Sequence, residues 1–332
     1  MLSPPLLGLD VFSLRSQGLS AIELLEFCAA GGVGVVHFSE PRLLGAAGAA
    51  ALRDVRVCAQ ELGIALEAGM LSIAGGATIF NTAAGPAEVQ LAQAIDLAAA
   101  LGSPIVRCVV GTFRDRAQTG GPAGPGGIDA RVGEAIAAIG AVRTRALDAG
   151  LKIAVENHAG DLQSRELKAL VEEAGTDLVG VCLDAGNAFW AMEDALAALE
   201  TLAPYVLTSH TRDTAVRATE SGAEVAWTRM GEGNIGIEAY LDRFRALCPG
   251  KPVMLEVIIM PAPRQLPYRD PQFRAGYPRM TAEDFQRFVD RVEHAPPAAL
   301  PSGVVEPAAE LANVEASLRW TKGYLRRVET GT

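Results

Sequence analysis

Eight short apolar, β-branched runs, the segments of helical apolar spacing between them, and the lack of any composition break before residue 295 predict an α/β chain: a (β/α)8 barrel with a C-terminal helical arm. The runs are LLGLDVF (6–12), GVGVVHF (32–38), IALEAGM (64–70), PIVRCVV (104–110), KIAVENH (152–158), LVGVCLD (178–184), VLTSH (206–210) and PVMLEVII (252–259). Helical spacing is found in 20–30, 46–62, 86–101, 129–149, 164–174, 191–202, 236–247 and 281–293. Gly63, Gly102 and Gly150 stand just before a strand, where helix C-caps commonly lie. Strict alternation of strand and helix makes the strands parallel, and eight such units close a barrel; an open sheet of eight regular units would be unusually large.

Residues 1–294 therefore read as one barrel domain. Residues 295–310, APPAALPSGVVEPAAE, read as a Pro/Ala-rich linker into a helical arm that ends the chain at 332. Leu311, Val314, Leu318 and Tyr324 form an apolar stripe on that arm, expected to dock on the barrel or on a second copy of the chain as a homo-oligomer. Two long loops, 112–128 and 260–280, fall on the side of the barrel where lids and substrate loops belong.

The 332 residues carry 39 Asp and Glu against 29 Lys and Arg, a net charge of −10. Nucleic-acid binding rests on clustered basic charge, so this balance argues for a small-molecule partner and against a phosphate backbone. Five cysteines without a C-x-x-C pair suggest a reducing compartment and no disulfide framework. No basic leader precedes an apolar core, and no run approaches a membrane span, so the expected location is the cytoplasm.

In such a barrel the reactive residues lie at the C-terminal ends of the strands. The fifth run ends in Glu156, the sixth in Asp184, the seventh in His210, and the eighth carries Glu256. Three carboxylates and an imidazole brought together without a cation would repel one another and suffer a desolvation penalty of several kcal/mol per ion, so a divalent metal is expected among them. Three oxygen donors with one nitrogen favour Mn²⁺, with Mg²⁺, Co²⁺ and Zn²⁺ as alternatives.

The motifs VENH, VCLDAGN, SHTRD, RMGEGNIG and the LEV of the eighth run resemble the xylose isomerase-like TIM barrel superfamily. The resemblance covers about residues 6–294, and it is to the branch of sugar phosphate isomerases and epimerases that includes ketose 3-epimerases and inosose dehydratases. It implies metal coordination by Glu156, Asp184, His210 and Glu256, with Glu156 and Glu256 also moving protons. Asn187 departs from the ketose 3-epimerase pattern, which has a histidine there, and this keeps elimination chemistry in view.

The chemistry of such a site is proton abstraction beside a carbonyl to give an enediolate. Return of the proton is epimerisation or isomerisation of a keto- or aldo-sugar or cyclitol. Expulsion of a β-substituent from a ketosugar, inosose or 3-keto-glycoside is lyase or dehydratase chemistry. The apurinic endonuclease branch, a DNA repair enzyme with a histidine-rich zinc cluster, fits poorly with four histidines and a net charge of −10.

Around the four ligand candidates, His158 and Asn187 are placed to meet substrate hydroxyls or to steady a ligand. Arg212 is placed to bind a substrate oxygen, to neutralise a ligand carboxylate, or to pair with Asp213. His37 and Glu67 stand where the far wall of the substrate site is expected, and Trp190 and Trp227 are candidates for apolar walls against a sugar ring. GEGNIG (231–236) reads as the turn into the seventh helix, with a phosphate site there as a lesser alternative. Arg264, Arg269 and Arg274 either cap an acidic substrate or lie in solvent.

Overall fold

A computed structural model describes residues 6–45, 48–116, 126–303 and 305–330. The central part of the expected 112–128 loop, residues 117–125, lies outside the described residues, as do residues 46–47.

All eight runs form strands, each shorter than or close to its apolar run. They are β1 (Leu7–Asp10), β2 (Val35–Phe38), β3 (Ala65–Ser72), β4 (Ile105–Val109), β5 (Lys152–Glu156), β6 (Val179–Asp184) and β7 (Val206–His210), followed later in the chain by β10 (Val253–Leu255). They pair in parallel in the order β10-β1-β2-β3-β4-β5-β6-β7. A bridge between Thr211 and Leu255 closes the ring, with the Thr211 N–H donating to the Met254 carbonyl at 2.6 Å. Core-facing Leu9, Val36, Ile153 and Val181 are fully buried, as expected of parallel strands covered on both faces.

Helices return between the strands, from Ala21–Ala30 onward. Ser20 and Glu23 cap that helix reciprocally, each satisfying an otherwise orphan backbone N–H. Of the stretch expected to be helical over 191–202, Ala195–Leu202 forms a helix, and a separate short helix, Ala185–Trp190, precedes it, with Asp194 and Asp184 as their N-caps.

Between β7 and the helix Ile237–Leu247 lies an unforeseen hairpin, β8 (Asp213–Ala218) with β9 (Ala223–Thr228). It is joined by β11 (Arg264–Leu266) in an antiparallel three-stranded sheet. The signal was present: DTAVRA and AEVAWT carry the β-formers Thr214, Val216, Val225, Trp227 and Thr228 on either side of a turn ending at Gly222. The helix Ala282–Glu293 packs against β8, with Arg291 bonded to Asp194 at 3.0 Å.

The arm is a helix, Pro307–Thr330, lying against its own barrel. Val314, Leu318, Tyr324 and Leu325 are buried. Lys322 donates to the Gly31 carbonyl at the end of the first helix (3.0 Å), and Tyr324 donates to Asp242 in Ile237–Leu247 (2.7 Å). It thus spans the seam where the first and last strands meet. Among the described residues no helix is long and apolar enough to cross a membrane.

Candidate metal centre and barrel mouth

Strand register decides which side chains meet. Glu156 lies level with Val109 and Cys182, and Asp184 is paired with His210. On the other side of the barrel Asp10 is paired with His37, and His37 with Glu67. Glu256 follows β10 by one residue, held by its N–H donating to the Thr211 carbonyl at 3.1 Å. Glu156, Asp184, His210 and Glu256 are all buried, and each offers a donor atom within 4.8 Å of those of the other three.

His210 is the hinge of the cluster. Its Nδ1 lies 3.0 Å from Glu156 Oε2 and 2.9 Å from Glu256 Oε2, yet makes no hydrogen bond. Its Nε2 faces His37 Nδ1 at 3.0 Å. An imidazole nitrogen aimed between two carboxylate oxygens without bonding either is what a cation-binding donor set presents, and the three-oxygen, one-nitrogen set fits a divalent ion.

The charge balance differs from the expectation drawn from sequence. The three carboxylates do not face one another uncompensated, because two buried arginines enter the cluster. Arg107, on β4, donates through Nε to Glu156 Oε2 at 2.6 Å. Arg212 donates through Nε to Asp184 Oδ2 at 2.8 Å and through Nη2 to Glu256 Oε2. Repulsion alone therefore does not require a metal here; the orientation of His210 is the better argument for one. Burial would raise Glu156, but Arg107 and then His210 outweigh it and hold its carboxyl well below the ordinary range. Asp184 goes the other way, raised by burial in spite of Arg212.

Neighbouring residues hold the ligands. Asn187 donates to Glu156 Oε1 at 3.2 Å. Asn157 clasps the Asp184 backbone through two bonds of 2.8 Å. Asp184 Oδ1 caps the next helix by accepting from the N–H groups of Gly186 (2.7 Å) and Asn187 (2.9 Å). A Cβ on Gly186 would lie 2.4 Å from Arg212 Cγ, so glycine is what lets the arginine reach the carboxylates.

Of the remaining candidates, His158 lies at the barrel mouth, half-buried, its Nδ1 2.8 Å from the Gly111 carbonyl. Burial pushes its pKa down to about 4. Trp227 lies under the Arg212 guanidinium, 4.1 Å from ring centroid to Cζ. His37 and Glu67 do not form an open wall. Both are buried inside the barrel, with Glu67 accepting from Thr208 at 2.8 Å and lying 3.9 Å from His37. Burial pushes the Glu67 carboxyl up to about 7.

Arg212 does not pair with Asp213. That aspartate accepts instead from the N–H groups of Gly231 and Gly233, both at 2.9 Å, and of Thr214 at 2.8 Å. This overturns the phosphate reading of GEGNIG, since a carboxylate of the chain itself already takes the backbone donors of that loop.

The sequence reading missed Arg107 and Asp10. Both carried a signal: a charge in the middle of the apolar run PIVRCVV, and an acid ending LLGLD. Asp10 Oδ2 is buried without a partner, 3.8 Å from His210 Nε2, and burial raises its pKa.

Comparison with known proteins places this geometry in context. The uncharacterized protein YihM of Escherichia coli (strain K12) is 29% identical over 133 residues, an alignment that spans 40% of this chain and 40% of that protein. D-psicose 3-epimerase from Clostridium cellulolyticum H10 superposes with a TM-score of 0.64 at 13% identity, covering 96% of this chain and 99% of that one. The probable 3-DHS dehydratase AsbF from Bacillus anthracis superposes with a TM-score of 0.55 at 13% identity, covering 76% of this chain and 92% of that one. At these identities the two structures share the fold. A family profile described as xylose isomerase-like TIM barrel matches residues 25–274, and the chain belongs to that family.

Proposed function

We propose that this protein is a divalent-metal-dependent isomerase or epimerase of a keto- or aldo-sugar or cyclitol, with Glu156 and Glu256 exchanging the proton. The observation that carries this reading is the convergence of Glu156, Asp184, His210 and Glu256 within 4.8 Å at the C-terminal ends of the strands. A divalent ion, Mn²⁺ ahead of Mg²⁺, Co²⁺ or Zn²⁺, would supply the Lewis acidity that polarises a substrate carbonyl. The epimerase among the solved structures that share the fold supports this choice of reaction.

The two glutamates divide the work. Glu156 has Oε2 engaged by Arg107 and Oε1 by Asn187, and it is held ionised, so it suits holding charge and orienting substrate. Glu256 receives no hydrogen bond on Oε1 among the described residues, which leaves that oxygen to take a proton from a carbon beside the carbonyl. Glu156, at the end of β5 and meeting the same His210 Nδ1 as Glu256, can also take the returning proton in the proposed exchange, its ionised form being the base. The net charge of −10 favours a small sugar over nucleic acid, and the cysteine pattern favours a cytoplasmic location.

Elimination of a β-substituent is the second reading. Asn187 favours it, because its amide holds Glu156 where an epimerase histidine would stand, and a dehydratase is among the structures that share the fold.

A screen of ketoses, inososes and 3-keto-sugars in deuterated water with Mn²⁺ tests both. An epimerase or isomerase places deuterium in its product at the carbon that loses the proton; a lyase gives an unsaturated carbonyl compound. Glu256→Gln should lower turnover at least about 10²-fold, the lower end of general-base contributions. Near wild-type turnover in both Glu256→Gln and Glu156→Gln, or full activity after exhaustive chelation, would overturn the mechanism.

A further inference from the structure

The mouth of the barrel carries an unusual stack. Arg212 lies over Trp227, Trp227 stacks on Trp190 with centroids 4.3 Å apart and planes at 15°, and the Arg264 guanidinium lies 5.2 Å from Trp190 and 4.0 Å from Phe113. These residues come from four different loops at the C-terminal side of the barrel, the side on which Glu156 and Glu256 stand.

Four buried nitrogens in this stack have no hydrogen-bond partner among the described residues: Arg212 Nη1, Trp227 Nε1, Trp190 Nε1 and Arg264 Nη1. Arginine and tryptophan nitrogens donate and never accept. Native proteins rarely leave so many buried donors unpaired in one place, and such groups point to a ligand that supplies acceptors. The two cations also differ. Arg212 is met by Asp184 and Glu256, whereas no carboxylate lies within ion-pair distance of Arg264 among the described residues. Residues 117–125 contain no Asp or Glu.

The backbone is shaped around Arg264. Gly160, four residues past Glu156, has φ +77°, and a Cβ there would lie 2.4 Å from Arg264 Nη1 and 2.6 Å from the Trp190 carbonyl oxygen. Ala159 beside it also has positive φ, and its carbonyl accepts from the Phe113 N–H at 2.9 Å. Burial and then the nearby charge of Arg116 hold Arg264 below the ordinary arginine value in spite of a hydrogen bond to Tyr277, and Arg116 itself is paired with Glu166 through two bonds. A desolvated guanidinium without a counter-ion is costly to keep, and an incoming anion relieves that cost.

We infer that the substrate carries an oxyanion, a carboxylate or a phosphate, held by Arg264 against the Trp190–Trp227 wall while the carbonyl end faces Glu156 and Glu256. This rests on the reading of the barrel mouth as a sugar site and narrows it from neutral sugars to acidic ones.

Isothermal titration of the full chain with Mn²⁺ present tests it, using three ketoses that differ only at C6: D-fructuronate, D-fructose 6-phosphate and D-fructose. One of the two anions should bind at least about tenfold more tightly than fructose, and which one does so separates carboxylate from phosphate recognition. Arg264→Gln should abolish that preference and Arg264→Lys should keep part of it. The wild-type ranking stands without any variant, so poor folding of Arg264→Gln does not rescue the inference. Fructose binding as tightly as both anions, neither anion binding at millimolar concentration, or a preference that survives Arg264→Gln overturns it. Deuterium exchange into fructose without anion preference defeats the inference and leaves the enzyme reading standing. Anion preference without exchange in any of the three does the reverse.

Discussion

The two halves of the barrel contribute charged residues of opposite use. Strands β5 to β7 and β10 end in Glu156, Asp184, His210 and Glu256, whose donor atoms converge. Strands β1 to β4 bring Asp10, His37, Glu67 and Arg107, of which Arg107 reaches the centre through Glu156 and His37 through His210. The converging atoms come from β5 to β7 and β10, and β1 to β4 supply side chains that position and compensate them, a role Arg212 shares from just beyond β7. The difference teaches that loss of Arg107 or His37 acts through Glu156 or His210, on stability and donor geometry, whereas loss of Glu156, Asp184, His210 or Glu256 removes a converging atom itself.

The largest test of this division cuts the seam between the halves. Removing residues 300–332 strips four buried apolar side chains, Val314, Leu318, Tyr324 and Leu325, from the junction. At the low end of about 1.5 kcal/mol each, the loss is about 6 kcal/mol. Thermal melting and sedimentation should both change; an unchanged melt would mean that the halves hold together without the arm.

Arg107→Met comes next. It leaves Glu156 buried without its counter-ion, a defect that costs about 3–5 kcal/mol. Urea unfolding should show that loss, and adding Glu156→Gln should recover part of it. A loss below about 1 kcal/mol would deny the first half its compensating role.

Glu193 sharpens the comparison within the second half, because it is a buried acid that makes no ion pair with an arginine among the described residues. Burial, only partly offset by Ser164, which donates through its N–H at 2.9 Å and through its hydroxyl, pushes its pKa from 4.5 up to about 7. The folded state then holds a proton that the unfolded state has released between these values. Stability from this group is complete below pH 4.5 and falls as pH rises to about 7, by roughly 3 kcal/mol at most. Glu193→Gln should flatten the fall in stability measured between these two pH values; an unaltered slope would assign it to other groups.

His37→Gln is the mildest change. It removes the partner that fixes the orientation of His210 and should weaken Mn²⁺ binding about 10- to 100-fold, as loss of a ligand's supporting hydrogen bond commonly does. Titration calorimetry and the ¹⁵N shifts of His210 report affinity and tautomer separately. Unchanged affinity would mean that the first half does not position the metal ligand.

The amino-acid sequence by itself determined the alternation of strands and helices, the eight-strand barrel and the strand ends at which Glu156, Asp184, His210 and Glu256 appear. These follow from local periodicity and from one general rule about where parallel strands deliver their side chains. The hairpin β8–β9 was also locally encoded, although a search for parallel repeats passes over its β-formers and the turn between them. Only the tertiary structure decided that Arg107 answers Glu156, that Arg212 bridges Asp184 and Glu256 instead of meeting Asp213, that His37 faces His210, and that Arg264 stands by Trp190 with no acid in ion-pair reach among the described residues. Each of these joins residues far apart in the chain, apart from the choice Arg212 makes between neighbours. Pairings of that kind depend on barrel closure, strand register and the space left by Gly160 and Gly186, none of which leaves a periodic trace in the order of residues.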